Sequence, residues 1–383
     1  MALKTICLIC PEYPPGPHGG VGTLMQVLAR GLVKIGYEVR VIGVFTKRYH
    51  FAPDYEEDNG VKVWRIKQGE GKFSWIPAWY KQYRIIKKWQ RNREIDIIEA
   101  PDSRGWFAFW PKLKIPLVLR ANGSVGYFAY VLNYTPNKLA FLFEKKSYQR
   151  VDGWISASAF TAKITKQVYH LEKDAEVIYN GIDDVPDFVT KEREKNKIAF
   201  SGVLMEKKGV ISLIKALKSM HDKGMDFTME LYGKDYIDAR GSMQEYLTSL
   251  MDEKLKIKIL FKGHVTKEEL YNAYSTATVA IFPSYAEAFA MAPLESMICA
   301  CPTIFTKLGS GPELIEDGKD GLLVNPDNIE EIENALVKII NDKTFAKAIG
   351  EEGRRTVRNR FLKETYTKKT VDFYQKLIEK KQV

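Results

Sequence analysis

Apolar residues along this chain fall into two alternating patterns. Short runs of β-branched and other apolar residues read as buried strands, and stretches with apolar positions three and four apart read as helices. The first run, residues 5–10, leads into the loop CPEYPPGPHGGVG. Val21, Leu24, Met25, Leu28, Leu32 and Ile35 then mark one helical face ahead of a capping Gly36. Further strands are predicted at 37–45, 95–98, 117–119, 153–156 and 176–179. Apolar content lapses over 183–197, DDVPDFVTKEREKNK, as in a linker, and the scheme then restarts. A strand at 198–202 precedes the loop VLMEKKG and a helix with Val210, Leu213, Ile214 and Leu217 on one face. Strands at 227–232, 256–261, 279–283, 303–305 and 322–324 follow.

This alternation predicts an α/β protein of two doubly wound, Rossmann-like domains, 1–187 and 188–365, with a terminal helix at 366–383 packing back on the first. Ligands of such sheets bind outside the carboxyl ends of the strands, so the loops at 11–22 and 203–209 are expected to border a site in a cleft between the domains.

The 383 residues suffice for two cores, and 45% hydrophobic with 28% charged residues excludes a disordered or fibrous chain. No charge-free run exceeds 17 residues, and the one at 121–137 is broken by Asn122, Gly123, Gly126 and Pro136, so no membrane span is predicted. The start MALKTICLIC runs directly into a strand pattern, which argues against a signal peptide. A cytoplasmic protein is expected. Net charge is +10 and uneven: residues 1–190 hold 27 Lys and Arg against 19 Asp and Glu. That field suits a phosphorylated ligand or an anionic membrane. No zinc finger or RNA-binding aromatic signature accompanies it, so nucleic acid is not expected. Cys7, Cys10, Cys299 and Cys301 read as small buried hydrophobes, not as a zinc or redox site.

Gly19, Gly20 and Gly22 precede a helix, where backbone N–H groups suit a phosphate, although a ligand-free turn has the same sequence. Met25 stands where a dinucleotide fingerprint needs its third glycine, and no acidic residue ends the next strand, so a nicotinamide cofactor is disfavoured. Glu287 and Glu295 frame EAFAMAPLE. Glutamates eight apart are commonly surface residues, but beside small apolar neighbours a carboxylate can accept hydrogen bonds from paired sugar hydroxyls. Lys208, at a helix start, reads either as an exposed lysine or as a point charge for a diphosphate. No Asp-x-Asp pair caps a strand and only 5 His occur, so no metal and no cofactor are expected.

Taken in order, these residues resemble the retaining glycosyltransferases of family 4, which have the GT-B fold. Glu287 and Glu295 match the family's paired glutamates, followed by Cys301-Pro302. Lys208-Gly209, Gly19-Gly20, NGID at 180–183, PELI at 312–315 and GLLV at 321–324 match further elements. The resemblance implies that Glu295 holds the ribose of a nucleotide-diphosphate sugar and that Glu287 lies by the donor sugar. Backbone N–H groups of Phe289, Ala290 and Gly20 would meet sugar or diphosphate, Lys208 would neutralise the phosphates, and Gly263 to Val265 would contact the base. Val203 replaces a usual phosphate-binding arginine, Ala288 and Ala290 replace glycines, and Asn122 stands where a catalytic histidine is common.

The implied reaction is front-face transfer of a sugar with retention. The leaving diphosphate takes the acceptor proton and is stabilised without metal. The acceptor would be a saccharide or a lipid-linked saccharide of surface polysaccharide or glycolipid synthesis. In the segment 72–94, Trp79, Tyr80, Tyr83 and Ile86 share one helical face and Lys81, Arg84, Lys88 and Arg91 the next. That pattern fits either an interfacial helix touching the inner face of an anionic membrane or a helix whose aromatics are core. A nucleotide-sugar 2-epimerase of the same fold and a catalytically decayed nucleotide-sugar-binding protein are the alternatives.

Overall fold

A computed structural model describes residues 3–16, 19–71, 73–185, 192–239 and 241–382. The middle of the expected linker, 186–191, and Lys72 lie outside the described residues. The chain forms two compact units, Met1–Gly181 with Lys363–Val383, and Ile182–Leu362.

The first unit is built on an eight-stranded sheet. Its strands are β1 (Thr5–Ile9), β2 (Glu38–Phe45), β3 (Tyr55–Asp58), β4 (Val61–Lys67), β5 (Ile97–Pro101), β6 (Leu117–Ala121), β7 (Gly153–Ser156) and β8 (Glu176–Val177). Their spatial order is β3-β4-β2-β1-β5-β6-β7-β8, and every pair is parallel except β3 with β4. The helices are α1 (Gly20–Lys34), α2 (Trp75–Arg91), α3 (Val125–Val131), α4 (Lys138–Arg150) and α5 (Ala159–Tyr169). Strand alternation feeds two cores. Ile6 and Leu8 of β1 join Leu24, Met25 and Leu28 of α1 on one face, while Cys7 and Ile9 join Tyr83, Ile86 and Trp89 of α2 on the other.

The second unit repeats the plan with a six-stranded parallel sheet. Its strands are β9 (Lys197–Ser201), β10 (Thr228–Tyr232), the small hairpin β11 (Ile237–Asp238) and β12 (Gly241–Ser242), β13 (Ile259–Gly263), β14 (Val279–Phe282), β15 (Thr303–Thr306) and β16 (Leu322–Val324). The sheet order is β13-β10-β9-β14-β15-β16, with the hairpin separate. Helices α6 (Val210–Asp222), α7 (Met243–Ser249), α8 (Glu253–Lys258), α9 (Lys267–Thr276), α10 (Met291–Ile298), α11 (Gly311–Leu314), α12 (Ile329–Asn341) and α13 (Lys343–Arg360) connect and flank the strands. The last helix, α14 (Lys363–Gln382), belongs to the first unit and adds Tyr366, Val371, Tyr374 and Ile378 to the core shared with α1.

The structure differs from the sequence expectation in several elements, among them the small hairpin β11–β12, which was not expected, and β8, which ends at Val177. The strand expected at 256–261 starts at Ile259, because Asp252 caps α8 by accepting the Leu255 N–H at 2.8 Å. The hairpin β3–β4 was not anticipated. Its turn residues Asn59 and Gly60 both have positive φ, 48° and 83°, as a type I′ turn requires.

What positions ligands is the point where strand order reverses. In the first unit that point lies between β1 and β5, and in the second between β9 and β14.

Candidate active site

At the reversal point of the second unit the loops after β9 and β14 interlock. Gly209 has φ +72°, and a Cβ there would lie 1.8 Å from the Pro283 carbonyl oxygen, so only glycine permits this approach. The Tyr285 N–H donates to the Lys207 carbonyl at 2.8 Å, which fixes the second contact. Lys208 Nζ is thereby brought onto Glu287 Oε1, forming an ion pair with both side chains largely shielded from water. The Ser284 hydroxyl donates to the same carboxylate oxygen at 3.1 Å. The lysine of the KG pair and the first glutamate of the EAFAMAPLE segment therefore meet, 79 residues apart in sequence. Beside them, burial holds the Lys207 ammonium below the usual lysine range, Lys208 lowers it further, and Glu287 opposes both.

Glu295 is not part of that pair. Glu287 lies four residues before α10, whereas Glu295 sits in the second turn of the helix and is partly exposed. Among the described residues no hydrogen bond or ion pair satisfies the Glu295 carboxylate. Burial raises its pKa, the Lys267 ammonium partly offsets this, and the Asp183 carboxylate adds to it. The neighbouring Tyr271 hydroxyl is buried with no hydrogen-bond partner among the described residues. Ala290 is the N-cap of α10 and supplies no side-chain acceptor, so the first N–H groups of the helix are left uncapped by a side chain. Phe289 is 8% exposed and packs on Phe361, with ring centroids 6.1 Å apart. Ala288 and Ala290 are both buried.

Gly263, at φ +67°, ends β13, and its carbonyl accepts the Gly233 N–H at 2.7 Å. Val265 follows, just before Thr266 and Glu269 form the capping box that starts α9. Val203 lies two residues past the end of β9 and is 39% exposed. Among the described residues no three His, Cys, Asp or Glu side chains are grouped as metal ligands. All four cysteines are free and buried, and burial pushes the Cys299 and Cys301 thiols up to about 12 and about 11.

In the first unit Gly20 opens α1, and a Cβ there would meet no atom within 4 Å. The start of this helix already has an anion: Glu12 Oε1 accepts the Gly22 N–H at 2.8 Å. Asn122 follows β6, the strand next to β5 in the sheet. Both polar atoms of its side-chain amide are buried with no partner among the described residues. Its backbone N–H donates to Asp102 Oδ1 at 3.2 Å. Burial and the nearby Glu144 carboxylate push the Asp102 pKa up to about 7, against the hydrogen bonds it accepts. Sequence reasoning missed Asp102 because it ended β5 too early. In the structure Asp102 is the first residue past the strand and lies at the reversal point.

Helix α2 resolves the ambiguity of segment 72–94 unevenly. Tyr83, Ile86 and Trp89 are core, whereas Trp75, Ile76 and Tyr80 near its start are 40 to 55% exposed. No described helix is long and apolar enough to cross a membrane.

A family model described as "Glycosyl transferases group 1" matches residues 182–356, and one described as "Glycosyltransferase Family 4" matches residues 18–185. An uncharacterized glycosyltransferase of Methanocaldococcus jannaschii is 23% identical, over 98% of each chain. Sucrose-phosphate synthase from Thermosynechococcus elongatus superimposes with a TM-score of 0.82 at 20% identity, over 98% of this chain and 100% of the other. Anabaena HepE, solved in complex with UDP and glucose, gives 0.76 at 17% identity, over 97% and 100%. These likenesses show the GT-B fold, and the two family matches join nearly end to end. The chain belongs to the group 1, family 4 glycosyltransferases.

Proposed function

We propose that the chain transfers a hexose, with retention, from a nucleotide-diphosphate sugar to a saccharide or lipid-linked saccharide of surface polysaccharide or glycolipid synthesis. The observation that carries this is the pairing of Lys208 with Glu287 beside the start of α10, whose N-cap Ala290 offers no side-chain cap, with Glu295 in the same helix pairing with no group among the described residues. A diphosphate entering there meets Lys208 and the N–H groups at Phe289 and Ala290, and the ribose diol donates to Glu295. Glu287 then holds Lys208 in position while the donor sugar lies alongside. The bond from the anomeric carbon to the diphosphate oxygen breaks, and the acceptor oxygen bonds to the same face of that carbon. The acceptor proton leaves on the diphosphate. Stabilising that leaving group is the main electrostatic task, and Lys208 with fixed N–H dipoles performs it without a metal. The Anabaena neighbour solved with UDP and glucose supports the donor class.

The test is turnover of a panel of nucleotide-diphosphate sugars with saccharide acceptors, read by NMR of the product's anomeric configuration. An α-linked product from an α-linked donor is expected. A β-linked product contradicts retention, and free epimerised sugar with UDP favours the epimerase alternative. Activity is also expected to survive excess chelator. Loss on chelation, restored by magnesium or manganese, would show that a metal carries the diphosphate charge.

A further inference from the structure

Two depressions adjoin in the first unit, near the carboxyl ends of β2, β4 and β5. One, of about 530 Å³, is apolar, with Trp75, Ile76, Trp79, Trp106, Phe109 and Phe143 in its wall. The other, of about 730 Å³, is polar and includes Glu12, Lys47, Arg48 and Arg104. Gln68 and Arg104 border both, so an apolar groove passes directly into a polar pocket.

The charges of the pocket are unequally engaged. Glu12 accepts the Gly22 N–H, and Lys47 pairs with Glu70. Arg48 and Arg104 form no side-chain ion pair or hydrogen bond among the described residues. Arg104 stands over the Trp106 ring at 6.0 Å, at the junction, on a backbone held at φ +69°. The pocket thus presents two guanidiniums that have no anionic partner among the described residues, a geometry suited to phosphate oxygens. The groove has the opposite chemistry. Trp75, Ile76 and Phe109 are 40 to 50% exposed along it, although exposed apolar surface of this kind is costly unless something covers it. The Trp106 indole N–H in its wall is buried with no acceptor among the described residues. A bare saccharide satisfies the pocket and leaves the groove wet. An amphiphile with an anionic junction satisfies both.

We infer that the first unit takes an acceptor carrying an alkyl or prenyl chain joined through a phosphate. The chain lies in the aromatic groove and the phosphate lies against Arg48 and Arg104. This rests on the transferase reading above and specifies its acceptor class.

The test is tryptophan fluorescence titration of the full-length protein with dodecyl phosphate below its micelle concentration, with dodecyl maltoside and inorganic phosphate as comparators. Dodecyl phosphate is expected to bind at least tenfold more tightly than either. Ile76→Asp and Phe109→Asp, each at a half-exposed position that should tolerate it, are each expected to weaken it tenfold or more. Arg48→Gln with Arg104→Gln should bring it to the level of dodecyl maltoside. Equal affinity for all three probes, or wild-type affinity in both folded groove variants, overturns the inference. Nucleoside diphosphate binding to the second unit is measured on the same proteins. Its absence alongside intact dodecyl phosphate binding counts against the transferase reading, and the reverse outcome counts against the lipid site alone.

Discussion

Two residues of the second unit carry the electrostatic argument in different ways. Glu295 has a raised pKa chiefly because of burial, so ionising it costs more than ionising an ordinary glutamate. A ribose diol needs that ionised form as acceptor. Nucleotide affinity is therefore expected to fall on acidification from a higher pH than the ordinary glutamate range, and Glu295→Ala should abolish this limb of the profile. Calorimetric titration across pH 4 to 8 checks it, and an identical profile in the variant removes Glu295 from the site. Val203 lies exposed two residues past the end of β9, five residues before Lys208. Because the position is open, an arginine there escapes the cost of burying an unpaired charge. Val203→Arg is expected to tighten diphosphate binding about tenfold to a hundredfold, the worth of a charged hydrogen bond of roughly 1.5 to 3 kcal/mol. Equal affinity in a well-folded variant means that the side chain does not reach the phosphates.

At the scale of elements, the site depends on loops that only certain residues permit. Gly209→Ala sets a methyl against the Pro283 carbonyl and forces a non-glycine residue to φ +72°. A loss of about 1 to 3 kcal/mol from backbone strain alone is expected, with weakened nucleotide binding as Lys208 shifts. Urea unfolding of the variant measures the first, and an unchanged midpoint refutes the interlocked loops. Most of the parallel strands were legible from sequence because strands buried on both faces, such as TICLI and VAIF, are almost uninterruptedly apolar. The hairpin β3–β4 was not: YEED is a charged edge strand with no apolar signal, and VKVWRIK was passed over although its Val61 and Val63 alternate with Lys62 and Asn59-Gly60 was there to be read. The candidate site residues stood out as motifs, but their partners in the structure did not. That Glu12 occupies the start of α1, or that Lys208 reaches Glu287, depends on chain contacts that no local pattern encodes. Arg48 and Arg104 went unnoticed for the same reason, as isolated cations made neighbours only by the sheet.

For the molecule as a whole, the chain completes its first unit last. Tyr374 of α14 donates its hydroxyl to Glu99 Oε2 at 2.7 Å, and Arg120 donates to Oε1 at 2.7 Å and to Thr370 Oγ1 at 3.2 Å. The Glu99–Arg120 pair is fully buried, so its stability depends on every donor being in place. Tyr374→Phe removes one and is expected to cost about 1.5 to 3 kcal/mol in thermal unfolding, with nucleotide binding unchanged. A neutral effect shows that the helix is held by packing alone. The central claim is that the second unit binds a nucleotide-diphosphate sugar through Lys208, the start of α10 and Glu295. Its most direct test is thermal unfolding of wild-type protein and Glu295→Ala with a panel of nucleoside diphosphates and their sugars. At a hundred times its dissociation constant, one nucleotide should stabilise the wild type by about 2.7 kcal/mol. Loss of two charge-assisted hydrogen bonds should weaken its binding to Glu295→Ala by about a hundredfold, on the order of 3 kcal/mol. Stabilisation by none of the nucleotides, or equal stabilisation of both proteins, would contradict the assignment.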